Sequence, residues 1–288
     1  MELLKETAQA KVNLTLRVHG RRADGFHEIE SLVVFAGVGD QLELSPGGDL
    51  ALSTEGHFAE KLTDNNLVLE AARMLCMHCP GIRSGQFRLE KRLPVAAGLG
   101  GGSADAAAAL RLLQRINAGK ISTDEMFAVA RELGSDVPAC FASRSSMMRG
   151  RGEQLSPLSR SPELPAVLVN PRIELGAGEV YTAIDADPVS ETFKPSTSVS
   201  AQFATIDDFV RFVRSTGNDL QPAAIKLAPA IDEVRSSITE TEGCLAAQMS
   251  GSGPTCFGLY RTHDEARAAA QSLVRRHPDW WVVATQLG

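Results

Sequence analysis

The sequence has no excess of basic residues: 29 lysines and arginines face 35 aspartates and glutamates among 288 residues, a formal net charge of −6. No basic stripe with interleaved aromatics interrupts that balance, which argues against a nucleic-acid partner. It lacks any apolar run approaching the roughly eighteen residues that a membrane-spanning helix needs. The opening MELLKETAQAK has no hydrophobic stretch between a basic start and a cleavage site. A soluble, cytoplasmic protein without membrane partners is expected. Internal repeats, heptads and low-complexity segments are missing too. Five cysteines, an odd number in a chain of this size, point to reduced thiols, and Cys140 and Cys256 in apolar surroundings read as packing residues. Cys76 and Cys79 form a CxxC around His78, yet no second CxxC or HxxxH stands at useful spacing. A helix stopped at Pro80 and Gly81 therefore outweighs a zinc or redox site.

Glycine, by contrast, is concentrated. Leu93 to Ala109 reads LPVAAGLGGGSADAAAA, with Gly98, Gly100, Gly101 and Gly102 just ahead of an alanine-rich segment. Glycine adopts positive φ freely and leaves room for close approach, so these amides can converge on an anion at the positive end of the following helix. Phosphate is the ligand this favours. Gly102 is followed by Ser103, Ala104 and Asp105 with no lysine, which excludes a P-loop. A dinucleotide fingerprint wants Gly or Ala where Ser103 stands, and a place on the first strand and helix of its fold. A dinucleotide oxidoreductase is thus a weak alternative, and a plain loop before a helix is the structural one.

The length favours two domains over one. Lys11 to Val18 alternates strictly, with Val12, Leu14, Leu16 and Val18 on one face and Lys11, Asn13, Thr15 and Arg17 on the other. That pattern predicts a strand with Lys11 and Asn13 on the same side. A turn at HGRRADGFH and strands at 29–35, 40–44 and 49–53 predict an early meander. Helices are expected over 65–77 and 103–117 with a strand at 87–90 between them, then a helix opened by a Ser122–Glu125 capping box and closed before Gly134. A hairpin turning at 149–152 and a linker over Ser156–Pro165 follow. Beyond it the pattern predicts a strand at 167–169 and helices at 179–184, 205–214 and 219–241, the last broken near Pro229. Strands at 244–248, 255–260 and 280–285, with a helix capped by Thr262 and Glu265 before the last, complete the chain.

Phosphoryl transfer needs charge neutralisation, in-line positioning and often a carboxylate for the attacking hydroxyl. Lys11 and Asp136 are candidates. Pattern alone leaves Lys11 equally a solvated edge-strand lysine and Asp136 equally an N-cap for a helix begun by Val137 and Pro138.

The segments AKVNLTL (Ala10–Leu16), RRADGFHEIES (Arg21–Ser31), the loop Pro94–Ala104, GSDVPACF (Gly134–Phe141) and MSGSGPTCFG (Met249–Gly258) together resemble the GHMP kinase superfamily. The resemblance implies an α+β, two-domain fold: a ribosomal-protein-S5-domain-2-like nucleotide and catalytic domain over residues 1–157 and a ferredoxin-like α/β sandwich over 158–288. It implies ATP as phosphoryl donor with Mg2+, and an ATP loop made of Pro94, Val95, Ala96, Ala97, Gly98, Leu99, Gly100, Gly101, Gly102, Ser103 and Ala104. The sequence does not give the magnesium ligands: Ser103 is a candidate contact by its place at the helix start, and no dedicated carboxylate stands out. Lys11 and Asp136 become the catalytic pair, Asp136 orienting the hydroxyl or taking its proton while Lys11 neutralises the transferring group. Within the superfamily the chain resembles the branch acting on a small cytidylyl-bearing alcohol. Phe26 and His27 match its cytidine-binding positions, Tyr181 falls where a second stacking aromatic is expected, and Asn13 contributes to the substrate cleft. Gly176 and Gly178 stand where relatives commonly have prolines, and Ala96 and Ala97 where some have glycines. A monomer or weak homodimer is expected. The alternatives are another small-molecule kinase of the superfamily, for homoserine, mevalonate or a sugar, and a nucleotide-binding regulator that performs no transfer.

Overall fold

The computed structural model describes residues 2–62, 65–159, 163–190, 203 and 205–288. Along the chain run β1 (Leu4–Asn13), β2 (Arg17–Arg21), β3 (His27–Pro46), β4 (Ala51–Glu55), α1 (Leu67–His78), β5 (Gly85–Glu90), α2 (Gly101–Ile116), α3 (Thr123–Leu133) and α4 (Val137–Ala142). They continue as β6 (Ser146–Gly150), β7 (Gln154–Pro157), β8 (Leu164–Asn170), α5 (Ala177–Ala183), α6 (Ile206–Thr216), α7 (Gln221–Leu227), α8 (Ala230–Thr239), β9 (Ala246–Met249), β10 (Cys256–Leu259), α9 (His263–Arg276) and β11 (Trp281–Leu287). The class is α+β. Two compact units interleave in sequence, the first comprising 1–11, 38–95 and 100–143 and the second 12–37, 96–99 and 144–288.

In the first unit β5 is the middle strand, antiparallel to the second half of β3 and parallel to β4. The expected meander is therefore replaced. Stretches 29–35 and 40–44 belong to one strand, β3, and β4 joins β5 rather than β3. The reason lies between β4 and β5: α1 supplies the crossover that a parallel pair requires. Helices start where side chains satisfy free amides, Asn66 accepting from Val68 N at 2.9 Å and Ser122 forming a reciprocal capping box with Glu125. Most of α2 is buried, Ala104 to Leu110 without a break, because alanines combine high helix propensity with little bulk and let α1 and α4 close on it.

The alternating stretch at 11–18 is not one strand. β1 ends at Asn13 and β2 starts at Arg17, because Leu14 N donates to Leu32 O while Leu16 N turns to Gly217 O. Its polar set is not solvated throughout either: Lys11, Asn13 and Thr15 are buried, and Arg17 is exposed.

In the second unit β8 lies between β10 and β11, antiparallel to both, and β9 flanks β10. Every residue of β8 is buried, so LPAVLVN reads as a continuous apolar run rather than an alternating one. Val167 and Val169 pack with Ile231, Val234 and Ile238 of α8 and Leu273 of α9. The first half of β3 carries β2 and β6, and β6 and β7 form the expected hairpin. Of the stretch read as a linker, Ser156 and Pro157 end β7, Leu164 and Pro165 begin β8, and 160–162 lie outside the described residues.

A Cβ placed on Gly39 in β3 would overlap the carbonyl of Ala8 in β1. Backbone cannot yield as a flexible side chain does, so Gly39→Ala is expected to destabilise the protein by about 1–3 kcal/mol; urea denaturation measures the loss.

Candidate functional site

Lys11, near the end of β1, is 4% exposed, and its Nζ lies 3.0 Å from Oδ2 of Asp136. The Asp136 side chain is 36% exposed. Its place at the start of α4 is that of an N-cap, yet the carboxylate accepts no hydrogen bond from that helix. Lys11 is therefore not a solvated edge-strand lysine and the Asp136 side chain is not a helix cap; the two pair with each other. Gly100, at φ +61, precedes α2 as its N-cap. A Cβ there would stand 3.1 Å from Lys11 Cε and 3.7 Å from Asp136 Oδ2, so only glycine leaves the pair uncovered. α2 starts at Gly101, two residues earlier than expected, and its first amides have no intrahelical acceptor. An anion-binding helix end and an ammonium–carboxylate pair therefore meet at one residue.

Beneath that turn lies a second charged group. Lys91 Nζ is 2.6 Å from Asp40 Oδ2 and 2.6 Å from Asp105 Oδ2, and all three side chains are buried. Asp40 Oδ1 also accepts the amides of Arg92 and Leu93 at 2.6 and 2.8 Å. Burial works against the Lys91 ammonium, but the two carboxylates outweigh it and the net shift is upward. Asp105 is pushed up to about 7, by burial first and by the Asp40 charge, against the opposing pull of Lys91. These residues were missed in the sequence. One signal was present: Asp105 is a charge inside an alanine run whose helix had to be buried.

In the second unit the loop residue Gly98, at φ +72, approaches the turn between β9 and β10, where a Cβ would come within 2.8 Å of Gly253 O. Ser250 Oγ donates to Gly98 O at 2.9 Å and accepts from Asn13 N at 3.1 Å, while Thr255 N donates to Ala97 O at 3.2 Å. Asn13 is 3% exposed, and its Nδ2 donates to Ser31 Oγ at 2.7 Å. The segment MSGSGPTCFG thus holds Ala97 and Gly98 of the glycine loop, with Ser250 and Ser31 as residues the sequence did not single out. Pro94, Ala97 and Leu99 are buried, Val95 half-buried, and Ala96 exposed at φ +50, a left-handed conformation costly for any residue with a Cβ.

The ADGF turn forms because Asp24 Oδ1 accepts from Phe26 N at 3.1 Å, Arg22 N donates to Phe26 O at 2.7 Å, and Gly25 takes φ +86. It leaves Phe26 47% exposed with the Arg151 guanidinium 4.9 Å from its ring centroid. His27 stacks on Tyr181 of α5, centroids 5.0 Å apart and planes 30° apart. Arg21 brings them together, donating to Asp187 O at 2.7 Å and accepting from Val189 N at 3.0 Å just after α5. Gly176 caps α5, its amide donating to Glu179 Oε2 at 3.2 Å, and Gly178 follows in the first turn with open space around it. Burial, then the charge of Arg21, holds the His27 ring below the usual imidazole range, so it is neutral at pH 7. His27 and Tyr181 leave no gap for a ring between them; a base would stack on an outer face or against Phe26. Cys79, finally, ends α1 with its amide on Leu75 O, and burial pushes both thiols of the CxxC upward, away from reactivity.

The GHMP kinases N terminal domain matches residues 66–144, and the GHMP kinases C terminal domain matches 205–279. The 4-diphosphocytidyl-2-C-methyl-D-erythritol kinase of Bradyrhizobium sp. (strain BTAi1) is 46% identical over 99% of this chain and 96% of its own length. A crystal structure of 4-(cytidine 5'-diphospho)-2C-methyl-D-erythritol kinase superposes with a TM-score of 0.78 at 34% identity, covering 99% of this chain and all of that one. Homoserine kinase from Cytophaga hutchinsonii shares the fold, with a TM-score of 0.69 at 18% identity over 99% of this chain and 96% of its own.

Removing the central cation should leave two buried carboxylates facing each other. Lys91→Met is expected to cost about 3–5 kcal/mol of stability at pH 8. The loss should be smaller at pH 5, where Asp105 is protonated; denaturant titrations at the two pH values measure both.

Proposed function

The chain belongs to the GHMP kinases, and from that premise we infer that it transfers the γ-phosphoryl group of ATP to the 2-hydroxyl of 4-diphosphocytidyl-2-C-methyl-D-erythritol. The products are the 2-phosphate and ADP, in the methylerythritol phosphate route to isoprenoid precursors. The observation that carries the reading is the Lys11–Asp136 pair, 3.0 Å apart beside the glycine that starts α2.

Amides of Gly101, Gly102 and Ser103 receive phosphate oxygens, helped by the positive end of α2. The acceptor oxygen forms a bond to the γ-phosphorus as the bond to the departing ADP oxygen breaks. Asp136 orients the hydroxyl and receives its proton, and its partial exposure gives that proton a way to solvent. Lys11 sits against the carboxylate and offsets charge on the transferring group. A strong base is unnecessary if the transition state is loose. Among the described residues no three His, Cys, Asp or Glu side chains cluster to hold a metal. Mg2+ held by nucleotide phosphates needs few protein ligands, and the Ser103 hydroxyl at the start of α2 fits as one. The ion supplies charge neutralisation on the phosphates.

Neutral His27 reads the hydrogen-bonding edge of cytosine, and Phe26 and Tyr181 offer faces for stacking. Asn13 acts by holding the loop through Ser250. We take 1–157 as the N-terminal domain and 158–288 as the C-terminal one; the matched segments 66–144 and 205–279 fall one in each. We propose a monomer or weak homodimer. No helix among the described residues is long and apolar enough to cross a membrane, and a cytoplasmic location fits a metabolite kinase.

Asp136→Ala should lower kcat by about 10²-fold or more with the KM for ATP little changed. A loss under tenfold, read as ADP release, overturns the assignment of Asp136. Tyr181→Ala should raise the KM for the cytidylyl alcohol on the order of tenfold. In a panel of acceptors, turnover of homoserine or mevalonate in its place would redirect the substrate assignment.

A further inference from the structure

One carboxylate ties the turn between β6 and β7 to the ADGF turn. Glu28 Oε1 accepts from Gly150 N at 3.0 Å, and Glu28 Oε2 accepts from the Arg22 guanidinium at 2.6 Å. Arg151, next after Gly150, is thereby held beside Phe26, its guanidinium carbon 4.9 Å from the ring centroid. The side chain is half-buried, yet among the described residues its guanidinium forms no ion pair and donates no hydrogen bond. The neighbouring carboxylates are engaged elsewhere: Asp24 and Glu28 with Arg22, Glu30 with Arg149, and Glu153 with the backbone amide of Arg151. Attraction to a ring face uses none of the five N–H donors of the guanidinium. A bidentate, charge-assisted bond to a phosphate uses the whole fork and is stronger.

We propose that Arg151 is a substrate-binding residue whose guanidinium receives the diphosphate of the cytidylyl alcohol, and that it lies on Phe26 only while that group is absent. This rests on the reading of the substrate as a cytidylyl diphosphate. The assignment is to the diphosphate and not to the base. A guanidinium on the Phe26 face competes with a base for the same surface, so toward the nucleoside alone Arg151 is neutral or an obstacle. A base that takes the covered face displaces the guanidinium; a base that takes the open face leaves it in place. In both cases the cation still has no anion from its own chain. The diphosphate, one ribose away from the base, comes within the sweep of a side chain anchored beside Phe26. Arg22 cannot serve instead, because two carboxylates already hold it. Contact then cancels the two charges, and the planar fork fixes how the diphosphate is turned.

The test is calorimetry of cytidine and CDP binding to the full chain, with ADP present to occupy the glycine loop, for wild type, Arg151→Met and Arg151→Lys. Methionine keeps an apolar stem against Phe26 and removes the charge and the donors. Affinity of Arg151→Met for CDP should fall about tenfold or more, while cytidine binds as tightly as to wild type or more tightly. Lysine, a point charge without the fork, should recover part of the loss. In turnover the KM for the cytidylyl alcohol should rise by a similar factor with kcat changed less than about twofold. An equal loss of affinity for cytidine and CDP makes the guanidinium a wall for the base and overturns the proposal, as does an unchanged affinity for CDP. If Arg151→Met does not fold, Arg151→Lys decides by the same comparison: CDP weakened with cytidine kept supports the assignment, and equal effects overturn it. Failure of wild type to bind either ligand overturns the cytidylyl reading itself; binding by wild type that Arg151→Met leaves unchanged overturns the role of Arg151 alone.

Discussion

An ammonium with almost no access to water is tolerated only where its partners are held in fixed positions, because leaving any of the three charges alone is costly. Lys91 meets that condition by drawing together β3 through Asp40, α2 through Asp105, and the segment after β5 to which it belongs. A hydrophobic contact of the same size would tolerate small slides along α2. Two bonds of 2.6 Å to a point charge do not. The start of α2 is thereby placed, and with it the amides of its first turn.

Space is the second constraint, and glycine supplies it for different reasons at neighbouring positions. Gly101 is small because Lys91 lies against it, and Gly100 because Lys11 and Asp136 do. Gly98 is small because the backbone of the β9–β10 turn closes on it. Three unrelated contacts thus explain one glycine-rich run. Packing contacts account for the small size of these three residues. The same economy appears at Asp136, where a position suited to capping a helix is used instead to pair with a lysine.

Local chemistry was legible wherever it acts over a few residues. The Ser122–Glu125 and Thr262–Glu265 capping boxes, the break at Pro229, the hairpin at 149–152 and the ADGF turn all appear where the pattern put them. Strand partners were not legible. Nothing in 49–53 says that β4 joins β5 in parallel, since that depends on α1 closing the crossover over residues 56–84. The alternation at 11–18 identified an extended segment but not that both its faces are covered as far as Leu16. Polar residues there were open to a solvated reading until the structure buried Lys11, Asn13 and Thr15.

By itself the sequence determined the chemistry available to this protein: a phosphate-favouring turn ahead of a helix, an amine and a carboxylate suited to transfer, and an aromatic turn beside a histidine. These are properties of residue types and short spacings, and they survive without knowing what touches what. The tertiary structure alone decided which charges meet. Lys11 and Asp136 are 125 residues apart in number and 3.0 Å apart in space, and Lys91 finds its partners 51 and 14 positions away. His27 and Tyr181 stack where Arg21 binds the backbone beyond α5. Coulomb and stacking energies depend on distance and burial, and neither quantity is written in the order of the residues.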